Sequence, residues 1–215
     1  MGRINQGILG GFRNKVGTVV GYFRYGEALM RGLAGQVTNP RTPLQEAARA
    51  RFALITKAVN ANLGFINAFY KQVGTRTRQN SAVSRNLNNG CIQGTGTNVT
   101  IDYSQFEVSQ GGEGVNVQAA SVAQGTGHTL AFSWTDNTGV TPDTLATDIV
   151  AVLVYNPSRQ QAVYDVSNAS RLDASAIIAY PSLWAGEQVE CYIATRSTDF
   201  ELLSPSEYLS SIVVN

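Results

Sequence analysis

His128 is the only histidine of the 215-residue chain, and it follows Gly125-Thr126-Gly127 at the start of an apolar alternation. A zinc centre needs about four nitrogen, sulfur or carboxylate ligands. No cysteine stands near His128, so a turn histidine is the expected role. Cys91 and Cys191 each lack a neighbouring histidine, which leaves no activated thiol for nucleophilic catalysis. No Gly-x-Ser-x-Gly elbow occurs. Gly10-Gly11-Phe12-Arg13-Asn14-Lys15 lacks the glycine that precedes a P-loop lysine, and Gly94-Thr95-Gly96 has no third glycine. Neither stretch reads as a phosphate cradle. Asp136, Asp143 and Asp148 are loop carboxylates whose spacing matches no EF-hand. The expectation is a protein that is not an enzyme and that uses no metal and no cofactor.

Charge is the more specific signal. Charged residues make up 14% of the chain, against about 25% in ordinary soluble domains. Residues 1–100 hold thirteen Lys and Arg against two acids, Glu27 and Glu46. Residues 101–215 hold three arginines (Arg159, Arg171, Arg196) against thirteen acids. The formal total of +1 therefore hides a basic half and an acidic half. Opposite charge at the two ends favours packing against copies of the same chain through unlike surfaces. On this reading Asp136, Asp143 and Asp148 form an acidic acceptor surface.

The elements that would position these charges begin with a glycine-laced strand region. Nine glycines fall in the first 40 residues, and between them stand strand-forming valines and aromatics. Strands are expected over 8–13, 16–24 and 27–33, with turns at Asn14-Lys15 and Tyr25-Gly26. Glycine inside a strand weakens it unless another backbone comes close, and so few strands are marginal alone in water. Residues 1–40 are therefore read as a basic β assembly arm. Its candidate contact residues are Ile8, Leu9, Phe12, Lys15, Val19, Val20, Tyr22, Phe23, Arg24 and Tyr25.

At Asn39-Pro40-Arg41-Thr42-Pro43 the pattern changes. Thr42 suits an N-cap, Pro43 the first helical position, and Gln45 completes a capping box. Apolar residues at 44, 48, 52, 55, 59, 63 and 66 mark one face of a long helix. Asn62-Leu63-Gly64 is a candidate break, and a second helix is expected over 81–87. This helical segment is assigned to residues 41–93.

From Gly94 the chain reads as strand and turn. Strands are expected over 99–108, 129–135, 148–155, 161–166, 174–179, 189–195 and 208–214. Seven short strands with turns between them predict a β-sandwich, residues 94–215. Leu130, Phe132 and Trp134 alternate onto one face, as do Val189, Cys191 and Ile193. The arrangement resembles fibronectin type III more than a true immunoglobulin domain, with Trp134 in the second strand and no disulfide. The expected fold is thus α+β: a glycine-rich meander, a long helix, and a fibronectin-III/Ig-like sandwich.

The stretches "MGRINQGILGGFRNKVGTVVG", "NPRTPLQEAARARFAL", "VLVYNPSRQQAVY" and "GEQVECYIA" resemble an uncharacterised domain-of-unknown-function family of Bacteroidota genomes and their phage-like elements. Its members share the M-G-x-I-x-x-G-I-L-G-G-F opening and the N-P-R-T-P helix start. Asn14 departs from the pattern, standing where relatives carry glycine before the lysine. The resemblance implies a bacterial or phage setting and no activity.

No continuous apolar stretch follows Arg3 as a secretory leader requires, and no run of 18 apolar residues predicts a membrane span. The cysteines are expected to be buried thiols. The leading expectation is a self-assembling structural subunit of a virion, tube or filament, made in the cytoplasm, with itself as partner. A nucleic-acid-binding or packaging protein is the alternative, using the thirteen basic residues with Tyr22, Phe23, Tyr25 and Tyr70. A sandwich adhesin is the third.

Overall fold

The computed structural model describes residues 3–4, 10–35, 39–72, 74–112 and 115–215. Two compact units divide the chain, Met1–Thr42 and Pro43–Asn215.

The first unit is an antiparallel sheet in the order β1-β2-β3-β4, with β1 Arg3–Ile4, β2 Phe12–Val16, β3 Val19–Arg24 and β4 Glu27–Gly32. Tyr25 and Gly26 both have positive φ, the requirement of a type I′ hairpin turn whose twist matches its strands. The turn expected at Asn14-Lys15 is not there. Both residues lie inside β2, opposite Gly21 and Val20, and the chain reverses at Gly17-Thr18. Asn14 keeps a left-handed φ of 74°, which asparagine tolerates. It marks where β2 stops pairing with β1 and begins pairing with β3. Gly21 is needed for space, because a Cβ there would run into the Phe12 carbonyl and ring.

The second unit opens with α1 Pro43–Ala61, α2 Leu63–Phe69 and α3 Arg78–Asn88. Asn62 makes the break between the first two. Its buried amide donates to the Ala58 carbonyl at 2.9 Å, competing locally with the helix ladder. α3 starts a turn earlier than expected, where the Thr77 hydroxyl accepts the Asn80 N–H at 3.2 Å.

The strands that follow are β5 Ile92–Thr95, β6 Asn98–Ile101, β7 Gln118–Gln124, β8 Thr129–Thr135, β9 Ile149–Asn156, β10 Gln161–Ser170, β11 Ser175–Ala179, β12 Gln188–Arg196 and β13 Glu207–Val213. β5 and β6 form a separate hairpin. A four-stranded sheet, β10-β9-β12-β13, and a three-stranded sheet, β11-β8-β7, make the sandwich. The long strand expected over 99–108 ends at Ile101, where the Asp102 carboxylate accepts the Ser104 N–H and turns the chain.

The sheet of β9 and β12 is covered on both faces. Val150, Val152, Val154, Val189, Cys191 and Ile193 share a core with Leu130, Phe132 and Trp134 of β8. The alternate residues Ala151, Leu153, Tyr155, Tyr192 and Ala194 share a second core with Ile55, Val59, Phe65, Ile66 and Phe69 of the helices. A strand buried on both faces reads as a continuous apolar run, which is what Ile149–Asn156 shows. The order is helices, four-stranded sheet, three-stranded sheet. The boundary expected near residues 94–98 is therefore corrected: that stretch is the β5–β6 turn, and the helices fold as part of the sandwich unit.

Candidate assembly surfaces

Pairing register sorts the side chains of the first sheet. Lys15, Val20 and Arg31 lie opposite one another across the strands, followed by Tyr22 with Leu29 and Arg24 with Glu27. Alternation puts Val16, Val19, Phe23, Ala28 and Met30 on the other face. One face is thus basic and aromatic, the other largely apolar. Arginines lie over exposed rings: Arg13 over Phe23 at 5.1 Å, Arg24 over Tyr25 at 5.2 Å and Arg31 over Tyr22 at 6.0 Å. Among the described residues of this unit, only Gly21 is buried. Phe12, Val19 and Val20 are half-buried; Lys15, Tyr22, Phe23, Arg24 and Tyr25 are exposed. Ile8 and Leu9 lie outside the described residues. Among the described residues β4 pairs only with β3, so its outer backbone groups form a sheet edge.

The three carboxylates of the expected acceptor surface separate in the structure. Asp136 and Asp143 are exposed in the β8–β9 loop. Asp136 accepts both the N–H and the hydroxyl of Thr138, at 2.9 and 2.6 Å. Those bonds, the hydroxyl's first, hold its pKa below the ordinary value. Asp148 is buried and does not belong to the acceptor surface. Its carboxylate faces the Arg171 guanidinium at 3.0 Å and caps the Leu145 N–H at 2.9 Å. A charge this deep needs a partner, and Arg171 supplies it.

Arg171 does more than pair. Its guanidinium donates to the Val115 carbonyl at 2.7 Å, to the Asn116 carbonyl at 3.3 Å and to Asn137 Oδ1. Its own carbonyl accepts the Trp134 indole N–H at 3.0 Å. One arginine thereby ties the 136–148 loop to β8 and to the segment before β7. Outward from this clasp, Val140, Leu145 and Leu172 are exposed. Sequence reasoning passed over Arg171 and these aliphatics. The available signal was an arginine in a half that holds three basic residues in all.

His128 sits at positive φ, with Nδ1 2.8 Å from the Asn215 carbonyl and its ring edge-on to Tyr180. Cys91 and Cys191 are free and buried. Burial pushes their thiols up to about 11 and about 12, so neither is poised as a nucleophile. The Cys91 thiol donates to the Asn86 carbonyl at 3.0 Å. Among the described residues no group of three or more His, Cys, Asp or Glu could hold a metal ion. No helix there is long and apolar enough to cross a membrane. A hollow of about 710 Å³ beside α3 is lined by polar groups that include Arg76, Arg85 and Glu107. Arg85 already pairs with Glu107.

A profile described as "Family of unknown function (DUF6266)" matches residues 10–210. The chain belongs to DUF6266. The match runs through both units, so meander, helices and sandwich make up one DUF6266 architecture. No curated protein matches the chain.

Proposed function

We propose that this DUF6266 chain is a structural subunit that assembles with copies of itself, head to tail, through the basic meander and the acidic sandwich. One observation carries the reading: a strand meander in which only Gly21 is buried among the described residues. A sheet without a core gains little from folding alone. It becomes stable when a neighbouring copy packs on its apolar face and pairs with its β4 edge. Unlike surfaces that meet in this way give rings or open filaments. The strand order β11-β8-β7 over β10-β9-β12-β13 is read as fibronectin type III-like, a non-enzymatic scaffold. The setting we assign is the bacterial or phage one that the sequence resemblance implies, in a virion, tube or other extracellular assembly.

Binding of single-stranded nucleic acid is the second reading. It is favoured by the three arginine–aromatic stacks of the meander, since exposed rings beside cations suit base stacking along a phosphate backbone. Electron microscopy of the purified full chain, beside a mobility shift with single-stranded DNA, separates the two. Ordered polymers without nucleic acid support assembly. Monomers that shift the DNA support the second reading.

A further inference from the structure

The β8–β9 loop exposes Val140 and Leu145, and the turn after β10 exposes Leu172 beside them. Val140, Leu145 and Leu172 are 64%, 53% and 63% exposed. The backbone gathers them. Leu172 N–H donates to the Ala146 carbonyl at 3.4 Å, Gly139 N–H to Thr144 at 3.0 Å and Arg171 N–H to Asp148 at 2.8 Å. Asp136, Asp143 and Asp173 stand exposed around them. A surface loop needs neither a buried ion pair beneath it nor three aliphatics above it for solubility, and clustered exposed apolar groups rimmed by polar ones mark contact sites. The clasp of Arg171, Asp148 and Asn137 holds the tip in one shape, which lowers the ordering cost of docking.

The meander presents the complement. Phe23 and Met30, 42% and 66% exposed, lie on its apolar face. Arg13 stacks over the Phe23 ring on that face at 5.1 Å, while Lys15, Arg24 and Arg31 add positive charge from the opposite face, with Glu27 the single described acid of the unit. The tip is aliphatic and acidic, the meander apolar and basic.

We infer that the 136–148 tip of one copy is the surface covered by the apolar face of the β-meander of a second copy, aliphatics against Phe23 and Met30 and carboxylates toward Arg13. The inference rests on the self-assembly reading and names its acceptor. Contact of this kind is heterologous, so each added copy leaves one tip and one meander free to continue the chain.

The test is a mixed disulfide. Two full-length proteins of different tag length, one carrying Leu145→Cys and the other Met30→Cys, are mixed and mildly oxidised. Cys91 and Cys191 are buried and do not compete. The expected product is a mixed-length dimer on a non-reducing gel. It should be lost when Ile177→Cys, 72% exposed on β11, replaces Leu145→Cys. Polymers that sediment normally with no tip–meander disulfide above the Ile177 control would overturn the acceptor while leaving self-assembly intact. A full chain that stays monomeric at every concentration would overturn both. In a chain carrying both Leu145→Cys and Met30→Cys, disulfide confined to the monomer would show the meander on its own tip, and would also overturn the inference.

Discussion

The guanidinium of Arg171 and the carboxylate of Asp148 lie 3.0 Å apart with both side chains out of solvent, and the two residues also bond through their backbones. Together they join β9, the end of β10 and the loop between β8 and β9. Removing one partner of a buried pair leaves the other charge uncompensated, at a cost of about 3–5 kcal/mol. Arg171→Met should therefore destabilise the Pro43–Asn215 unit by that amount in urea denaturation. Combining it with Asp148→Leu should recover part of the loss. A single variant within 1 kcal/mol of wild type, on the order of an exposed pair, would mean that the pair does not hold the loop.

Leu153 of β9 is fully buried in the core shared with the helices. Leu153→Ala should cost about 2–5 kcal/mol, read as a lower denaturation midpoint. Met30→Ser, in the meander, should leave that midpoint unchanged, because Met30 belongs to the other compact unit and is exposed.

Alkaline pH should unfold the second unit. Burial raises Cys91 from 9.0 to about 11, Cys191 to about 12 and Tyr155 from 10.0 to about 12. Each is neutral when protonated, and the folded state holds the proton longer than the unfolded one. Their contribution is thus fully present below about pH 9 and is lost as pH rises toward the folded values. Denaturation midpoints should hold from pH 7 to 9 and then fall through pH 11. Midpoints flat to pH 11 would contradict the burial argument.

Asp136→Lys with Asp143→Lys should slow assembly at low salt and leave nucleic-acid binding unchanged or slightly stronger, since both changes add positive field. The wild-type advantage should shrink in salt as the Debye length falls from ~10 Å at 0.1 M to ~3 Å at 1 M. Asp148 is left out of this variant because reversing a buried charge would test folding instead. Light scattering in which the double variant assembles at the wild-type rate would remove these two residues from the acceptor.

Periodicity made some of this architecture legible and concealed the rest. The Tyr25-Gly26 turn was readable because glycine after an αL-tolerant residue flanked by strand formers has few other uses. Asn14 was misread for the same reason: a residue fit for positive φ bends β2 without reversing it. β7, Gln118–Gln124, went unseen because its small and polar residues carry little strand preference. The apolar run of β9 was recognised as a strand, but the helices that cover its second face end 61 or more residues earlier in sequence. Of the expected acidic surface, Asp136 and Asp143 are exposed and Asp148 is not. A carboxylate's sequence neighbours say little about a partner 23 residues away.

Whether the meander drives assembly is decided most directly by removing it. Sedimentation velocity would compare the full chain with a chain beginning at Asn39, which keeps the whole Pro43–Asn215 unit. The account predicts that the shortened chain folds, with an unchanged circular dichroism melt for that unit, and sediments as a monomer at concentrations where the full chain forms larger species. A shortened chain that assembles as the full chain does would contradict it.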